Sequence, residues 1–314
     1  MDAVEHVPVL RDEVMQALRI RADGVYLDAT YGRGGHAGEI MKKLGPNGRL
    51  LALDRDPQAV EAAQKNFGRD ARFRIEKGPF SMLGHYVDNQ GLMGQVNGIL
   101  LDLGVSSPQL EDPRRGFSFR YDGPLDMRMD PDSGKSAADW LGKANEREIA
   151  RVIRDYGEER FARRIARAIV RSRKEQPITT TGRLADIVSQ AVPTRERGQH
   201  PATRTFQAIR IHINRELEEL GEALPQAVKA LAPGGRLAVI SFHSLEDRLI
   251  KRFMQVEAKG GELPPDLPVR QEQLHPHLKI IGKPVRAGEA EVHLNPRARS
   301  AMLRVAERIG EPDD

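Results

Sequence analysis

Val25-Tyr26-Leu27-Asp28-Ala29-Thr30-Tyr31-Gly32-Arg33-Gly34-Gly35-His36 is the stretch on which the reading of this chain turns. A short apolar run ends in an acid, crosses three glycines within four residues, and enters a helical pattern over residues 36–44. A strand that turns this sharply into a helix needs backbone that accepts positive φ and close approach, and glycine supplies both. In an open α/β sheet such a turn lies at the carboxyl end of the strand, where ligands bind.

Outward from this turn the pattern repeats. Residues 50–54 read as a second strand whose terminal Asp54 lies 26 positions after Asp28, and Pro57 is placed to open a helix over residues 57–66. Residues 72–75 and 98–103 read as third and fourth strands. Strands alternating with helices imply a parallel sheet covered on both faces. The alternation then stops, and residues 105–214 offer no strong strand. A Gly/Pro/Asp-rich stretch, 112–134, precedes helices, the clearest expected over 158–174. There Phe161, Ile165, Ala168 and Ile169 form one stripe and Arg160, Arg164, Arg167 and Arg171 another. The α/β pattern resumes with a helix over 216–231, ended by Pro233-Gly234-Gly235, and a strand over 236–241. A helix over 245–256, a Pro-rich loop and strands over 278–281 and 301–306 follow. The expected architecture is α/β: a Rossmann-like domain of residues 1–105 and 214–314, interrupted by a helical insertion of residues 106–213.

Composition narrows the chemistry. The 314 residues are 39% hydrophobic and 30% charged, as in a globular protein, and no apolar run is long enough to span a bilayer. Residues 1–10 carry acids and lack the apolar core of a signal peptide. The chain has no cysteine, which excludes disulfides, thiolate metal sites and a thiolate nucleophile, and is compatible with a cytoplasmic location. Residues 113–215 hold 22 Lys/Arg against 13 Asp/Glu, a net +9, while the whole chain carries only +4. A localised cationic excess suits an anionic polymer such as nucleic acid, or is simply a solvated helical face.

Asp54 stands where an acid accepts hydrogen bonds from both ribose hydroxyls of an adenosine cofactor. Two features separate the candidate cofactors. The nicotinamide fingerprint G-x-G-x-x-G fails at its last position, since Gly32-Arg33-Gly34-Gly35-His36 leads to Ala37. Asp28, at the mouth of the loop, would repel a pyrophosphate but suits the ammonium of a methionine moiety. The expected cofactor is therefore S-adenosylmethionine, with a NAD-dependent oxidoreductase as the disfavoured alternative. Asp102 ends the fourth strand at the same cleft edge, or serves as a loop acid. Ser107-Pro108-Gln109 is a partial match, without the second proline and the aromatic, to the polar-Pro-Pro-aromatic loop of enzymes that methylate exocyclic amines, or is a Ser-Pro turn. Methylation at pyrimidine C5 usually requires a thiolate, which this chain lacks; an amine, hydroxyl or carboxylate acceptor requires none. In-line transfer then rests on positioning and desolvation.

Five further blocks carry a family resemblance. They are Phe117-Ser118-Phe119 with residues 123–130 (GPLDMRMD); Tyr156-Gly157-Glu158-Glu159-Arg160-Phe161-Ala162; residues 200–208 (HPATRTFQA); Ser241-Phe242-His243-Ser244-Leu245-Glu246-Asp247-Arg248; and Asn295-Pro296-Arg297-Ala298-Arg299-Ser300. With the glycine loop they resemble the bacterial 16S ribosomal RNA cytosine-N4 methyltransferase family, RsmH, formerly MraW, from about His6 to Arg308. The resemblance implies a Rossmann-like methyltransferase domain with a helical insertion. It also implies S-adenosylmethionine as donor and the exocyclic amine of a decoding-centre cytidine in 16S rRNA as acceptor, within the assembling small subunit. It places cofactor contacts at Gly34, Gly35, His36, Asp54, Phe80, Asp102 and Gln109. Asp28 joins them from the loop reading.

For the chemical step the candidates are Asp102, Ser106, Ser107, Pro108 and His243. His243 ends the late strand and either orients substrate, accepts a proton, or caps the next helix. Phe117 and Phe119 lie among Arg114, Arg115 and Arg120 and either stack bases or belong to a core. Arg297 and Arg299 either hold phosphate or the cofactor carboxylate, or lie on an exposed loop. His275 and His277 flank Pro276 without a third ligand, so no metal site is expected. A non-catalytic RNA-binding factor that retains the fold is the alternative from another class.

Overall fold

The computed structural model describes residues 8–194, 200–261 and 275–310. The chain divides into two compact units, Met1–Gly104 with Leu217–Asp314, and Val105–Glu216. The Pro-rich loop expected after residue 256, and the start of the family resemblance at His6, lie outside the described residues.

The first unit opens with α1 (Arg11–Leu18), β1 (Val25–Asp28), α2 (Gly35–Lys43), β2 (Arg49–Asp54), α3 (Pro57–Phe67), β3 (Phe73–Lys77), α4 (Leu83–Asn89) and β4 (Val96–Asp102). The glycine turn forms as its composition requires: Gly32 and Gly34 have φ of 54° and 76°, and α2 starts directly after Gly34. Asp56 caps α3 by accepting from the Gln58 N–H at 3.0 Å, with Pro57 next to it in the first turn. The helix α1 is not in the sequence reading, because its eight residues are too short for a periodic signal.

The second unit contains α5 (Ser107–Glu111), α6 (Ala137–Lys143), α7 (Glu146–Gly157), α8 (Ala162–Glu175), α9 (Thr181–Ala191) and α10 (Thr203–Asn214). The helix expected over 158–174 starts four residues later than its pattern suggests. Glu158 adopts φ 49° and ends α7, and the Glu159 carboxylate accepts from the Phe161 N–H at 2.8 Å. Arg160 therefore leaves the helical stripe; it lies 4.6 Å over the Phe161 ring and bonds the Thr194 hydroxyl at 2.6 Å. Arg163, Arg164, Arg167 and Arg171 form the exposed face of α8, opposite buried Ile165 and Ile169.

The Gly/Pro/Asp-rich stretch builds much of this unit's core. Phe117, Leu125, Met127 and Met129 are buried among residues of α6 to α10. Phe119 packs between His200 and Phe206, with ring centroids 4.5 and 4.8 Å away. The core alternative thus holds for both aromatics, and a base-stacking role is set aside. Arg115 is buried too, donating to the Met129 carbonyl at 2.8 Å. Gly116 sits at φ 74°, where a Cβ would lie 2.5 Å from the Asp126 nitrogen. Buried Asn214 accepts from the Met129 N–H and donates to the Met127 carbonyl, both at 2.8 Å, which pins Met127 at φ 63°.

The chain completes the first unit with α11 (Glu216–Ala230), β5 (Leu231–Ser241), α12 (Ser244–Lys259), β6 (Leu278–Ile280), β7 (Val285–Arg286), α13 (Glu289–Leu294) and β8 (Met302–Arg308). The sheet runs β3-β2-β1-β4-β5-β8-β6, and β7 also pairs β8. Strands β1 to β5 are parallel, and β8 runs antiparallel to β5, β6 and β7. The Pro233-Gly234-Gly235 segment is not a turn ahead of β5 but an irregularity within it, where the register against β4 shifts between Val96 and Gly98. Leu27, Ile99 and Leu101 enter one core with α4 and α11; Tyr26, Leu50 and Leu100 enter another with α1 and α2. Cover on both faces is why these strands read as continuous apolar runs.

Candidate cofactor site at the carboxyl edge of the sheet

Asp28, Asp54 and Asp102 are the last residues of β1, β2 and β4. In the parallel register Asp28 lies opposite Ala52 of β2 and Leu100 of β4, so Asp54 and Asp102 stand two residues further along neighbouring strands. A two-residue offset keeps a side chain on the same face of a sheet. The three acids therefore share the face covered by α2, which carries His36.

Backbone groups shape the edge. Asp54 accepts from the Gly32 N–H at 2.7 Å through one oxygen and from the Asp56 N–H at 2.8 Å through the other. It thus draws the glycine loop onto β2, and each oxygen keeps a lone pair for a further donor. Thr30 accepts from the Asp102 N–H at 2.6 Å and fastens the end of β4 to the loop. Its own N–H reaches Asp28 at 3.2 Å. Neither this role of Thr30 nor the buried Tyr31 ring beneath Gly34 is in the sequence reading. A hydroxyl and a phenol inside the glycine stretch were the available signals.

The electrostatics are those of acids without counter-ions. Burial raises Asp28 to about 7 and Asp102, whose side chain is still 26% exposed, to about 8, with each further raised by neighbouring acids. Burial also raises Asp54, to about 6, against the pull of its two backbone donors. Burial lowers His36 to about 4, so its ring is neutral. Among the described residues no Lys or Arg pairs with any of the three acids. His36 Nε2 lies 3.6 Å from Asp102, beyond hydrogen-bond distance. One Asp102 oxygen is buried without a hydrogen-bond partner, and the buried His36 ring nitrogens have no neighbour nearer to a hydrogen bond than the Val9 backbone. A buried polar atom left in this state is costly unless a ligand meets it. The arrangement fits a cationic ligand that also offers hydrogen-bond donors.

The other expected residues fall as follows. Phe80 opens the short 3-10 turn after β3 and is half-buried against the core. Gly34 and Gly35 form the turn into α2. His243 is the N-cap of α12: its Nδ1 accepts from the Glu246 N–H at 3.3 Å, and its Nε2 lies 3.2 Å from the Glu246 carboxylate without forming a hydrogen bond. The capping contact named among its alternatives is present. Ser106, Ser107, Pro108 and Gln109 belong to the second unit. Ser106 is the N-cap of α5, and buried Gln109 accepts from its N–H at 2.9 Å. Arg297 and Arg299 are exposed on the 3-10 turn Pro296–Ser300. His277 lies 2.8 Å from Glu257.

Sheet order, the antiparallel eighth strand and the acid-lined glycine turn at the carboxyl edge together define a Rossmann-like methyltransferase fold. The chain belongs to the MraW methylase family, which matches residues 3–309. It is 59% identical to the ribosomal RNA small subunit methyltransferase H of Thioalkalivibrio sulfidiphilus (strain HL-EbGR7), over 98% of each chain. Solved structures similar to it include a putative rRNA-methylase from Clostridium thermocellum (TM-score 0.46, 12% identity, 97% of this chain and 100% of that one). Another is SMU.1697c, a putative methyltransferase from Streptococcus mutans in complex with SAH (TM-score 0.42, 10% identity, 95% and 98%).

Proposed function

We propose that this protein transfers a methyl group from S-adenosylmethionine to the exocyclic N4 amine of a decoding-centre cytidine in 16S ribosomal RNA. The observation that carries the cofactor assignment is the trio of strand-end acids without a basic partner, facing a buried neutral His36. A sulfonium and an ammonium supply the missing positive charge. The acceptor assignment draws support from family membership and from the small-subunit rRNA named for the 59% identical relative.

In this reading Asp54 holds the ribose, Asp28 the ammonium, and Gly34, Gly35 and His36 the methionine end. Phe80 lies against the adenine, and Asp102 and Gln109 complete the cofactor contacts. The target base leaves its stack so that its amine enters the cleft first. Ser106, Ser107 and the Pro108 carbonyl accept from the amine N–H, which orients the nitrogen lone pair toward the methyl carbon. As the N–C bond forms the S–C bond breaks, and the amine loses one proton. The cofactor supplies the methyl group; the protein supplies alignment and exclusion of water. The α8 arginines belong to the RNA-binding surface. Among the described residues no helix is long and apolar enough to cross a membrane.

The direct test is methyl incorporation from labelled cofactor into immature small subunits, followed by mass mapping of the modified nucleoside. Label on N4 of one cytidine supports the proposal; label on another atom or no incorporation refutes it. Asp54→Ala should weaken cofactor binding by about 1–3 kcal/mol, since buried ribose hydroxyls lose a charged acceptor. Equilibrium titration checks this, and an unchanged affinity removes Asp54 from the ribose contacts. Reversing charge at Arg164 and Arg167, both exposed on α8, should weaken RNA binding and flatten its dependence on salt. The slope of log affinity against log salt should fall by about 0.9 for each phosphate no longer neutralised. If neither quantity moves, that face is only solvated.

A further inference from the structure

The cofactor site contains more acid than a ribose and an ammonium need. Asp28 is 1% exposed and receives a single backbone hydrogen bond, from Thr30. Asp102 stands on the adjacent strand with one oxygen buried and unpartnered. The groups around the two are themselves acidic or neutral: Asp54 from β2, Glu246 from α12, the phenol of Tyr31 from the loop, and His36 from α2. Glu246 does not relieve them, because it accepts from the Phe242 N–H at 2.8 Å. Among the described residues the one cation felt here is Arg55, which acts on Asp54 and is itself paired with Glu219 at 3.1 Å; none pairs with Asp28 or Asp102. Two desolvated carboxylates that repel one another from the ends of adjacent strands do not both ionise cheaply without a cation.

A sulfonium donor and its thioether product have almost the same shape and differ by one positive charge. We infer that Asp28 and Asp102 act together as a charge-reading pair, which binds the sulfonium donor with both carboxylates ionised and takes up a proton when the uncharged thioether replaces it. The inference rests on the S-adenosylmethionine reading and adds the residues by which the site favours donor over product.

The proton balance closes. Donor binding expels a proton from the pair to solvent. Methyl transfer converts sulfonium to thioether and releases one proton from the amine. With the sulfonium charge gone and only the ammonium left to balance two carboxylates, the pair takes up a proton, which the next donor molecule expels again. The sign follows from linkage: groups that bind a proton in the protein alone and lose it in the complex make affinity rise with pH below their pKa and level off above it. With Asp102 near 8 and Asp28 near 7, the pair carries about 1.4 protons at pH 7.

Calorimetric titration of the wild-type protein in two buffers of different ionisation heat reads this proton directly. S-adenosylmethionine should release about 1.4 protons at pH 7 and gain roughly fiftyfold in affinity between pH 6 and pH 7, while S-adenosylhomocysteine, which leaves one proton on the pair, should release less than half as many and gain only about fivefold. In Asp102→Asn the release should fall and the preference for donor over product should shrink severalfold; thermal unfolding confirms that the variant is folded. Equal proton counts for the two ligands overturn the inference and leave the cofactor reading intact. Absence of binding by either ligand overturns both. The wild-type comparison stands even if the variant does not fold.

Discussion

Gly34→Ala should lose about 100-fold in S-adenosylmethionine affinity, or about 2.7 kcal/mol. Gly34 sits at φ 76°, a region that costs an L-residue about 1–2 kcal/mol. The new Cβ would lie 2.5 Å from Tyr31 Cζ and closer still to the phenol oxygen. That ring is 3% exposed and held between the loop and Phe73, so it has little room to withdraw. Overpacking of this kind adds about 1–3 kcal/mol. The loop must shift, and with it Gly32, whose N–H is the tether to Asp54 at 2.7 Å. Gly38→Ala is the matched control: it lies inside α2, and its Cβ would find nothing nearer than Phe67 at 4.0 Å. It should bind cofactor normally and gain up to about 1 kcal/mol of helix stability. Titration of both variants decides. If Gly34→Ala binds within threefold of wild type, the turn is not the cofactor cradle.

Glu307→Ala should destabilise the first unit by about 3 kcal/mol, the low end of what breaking a buried ion pair costs. Arg236 of β5 is 6% exposed, lies opposite Glu307 of β8, and pairs with it at 3.0 Å. It also donates to the Ala17 carbonyl at 2.9 Å. Removing Glu307 leaves a guanidinium buried with one backbone acceptor and no counter-charge. Arg236→Met should cost less, because the carboxylate left behind is 27% exposed and can hydrate. Urea unfolding followed by a probe in this unit should rank Glu307→Ala below Arg236→Met. The reverse order would show that Arg236 acts mainly through packing.

Much of the site was readable because it depends on local rules. A tight strand-to-helix turn demands glycine, and an acid at a strand end needs no distant residue to place it. Asp28, Asp54 and Asp102 could each be named from their own strands. Their common face could not, since it depends on the pairing register of β1 with β2 and β4. One misplaced helix start and one alternative left open have the same origin. The 158–174 stripe continued in sequence through a residue whose backbone turns left-handed at Glu158, and only the Glu159 bond to Phe161 shows where α8 begins. Phe117 and Phe119 looked available to bases because arginines flank them. Whether an aromatic faces water or a core is set by partners such as Phe206, almost 90 residues away.

By itself, then, the sequence determined the α/β alternation, the helical interruption, the glycine turn, the exclusion of thiol chemistry and the acids at the strand ends. These follow from backbone sterics, apolar periodicity and composition, all of which act over a few residues. Tertiary structure alone decided that three acids meet on one face beside a neutral His36 with no Lys or Arg among the described residues paired to any of them, and that His243 caps a helix. Desolvation and charge pairing depend on what lies across the fold, and no local pattern encodes them.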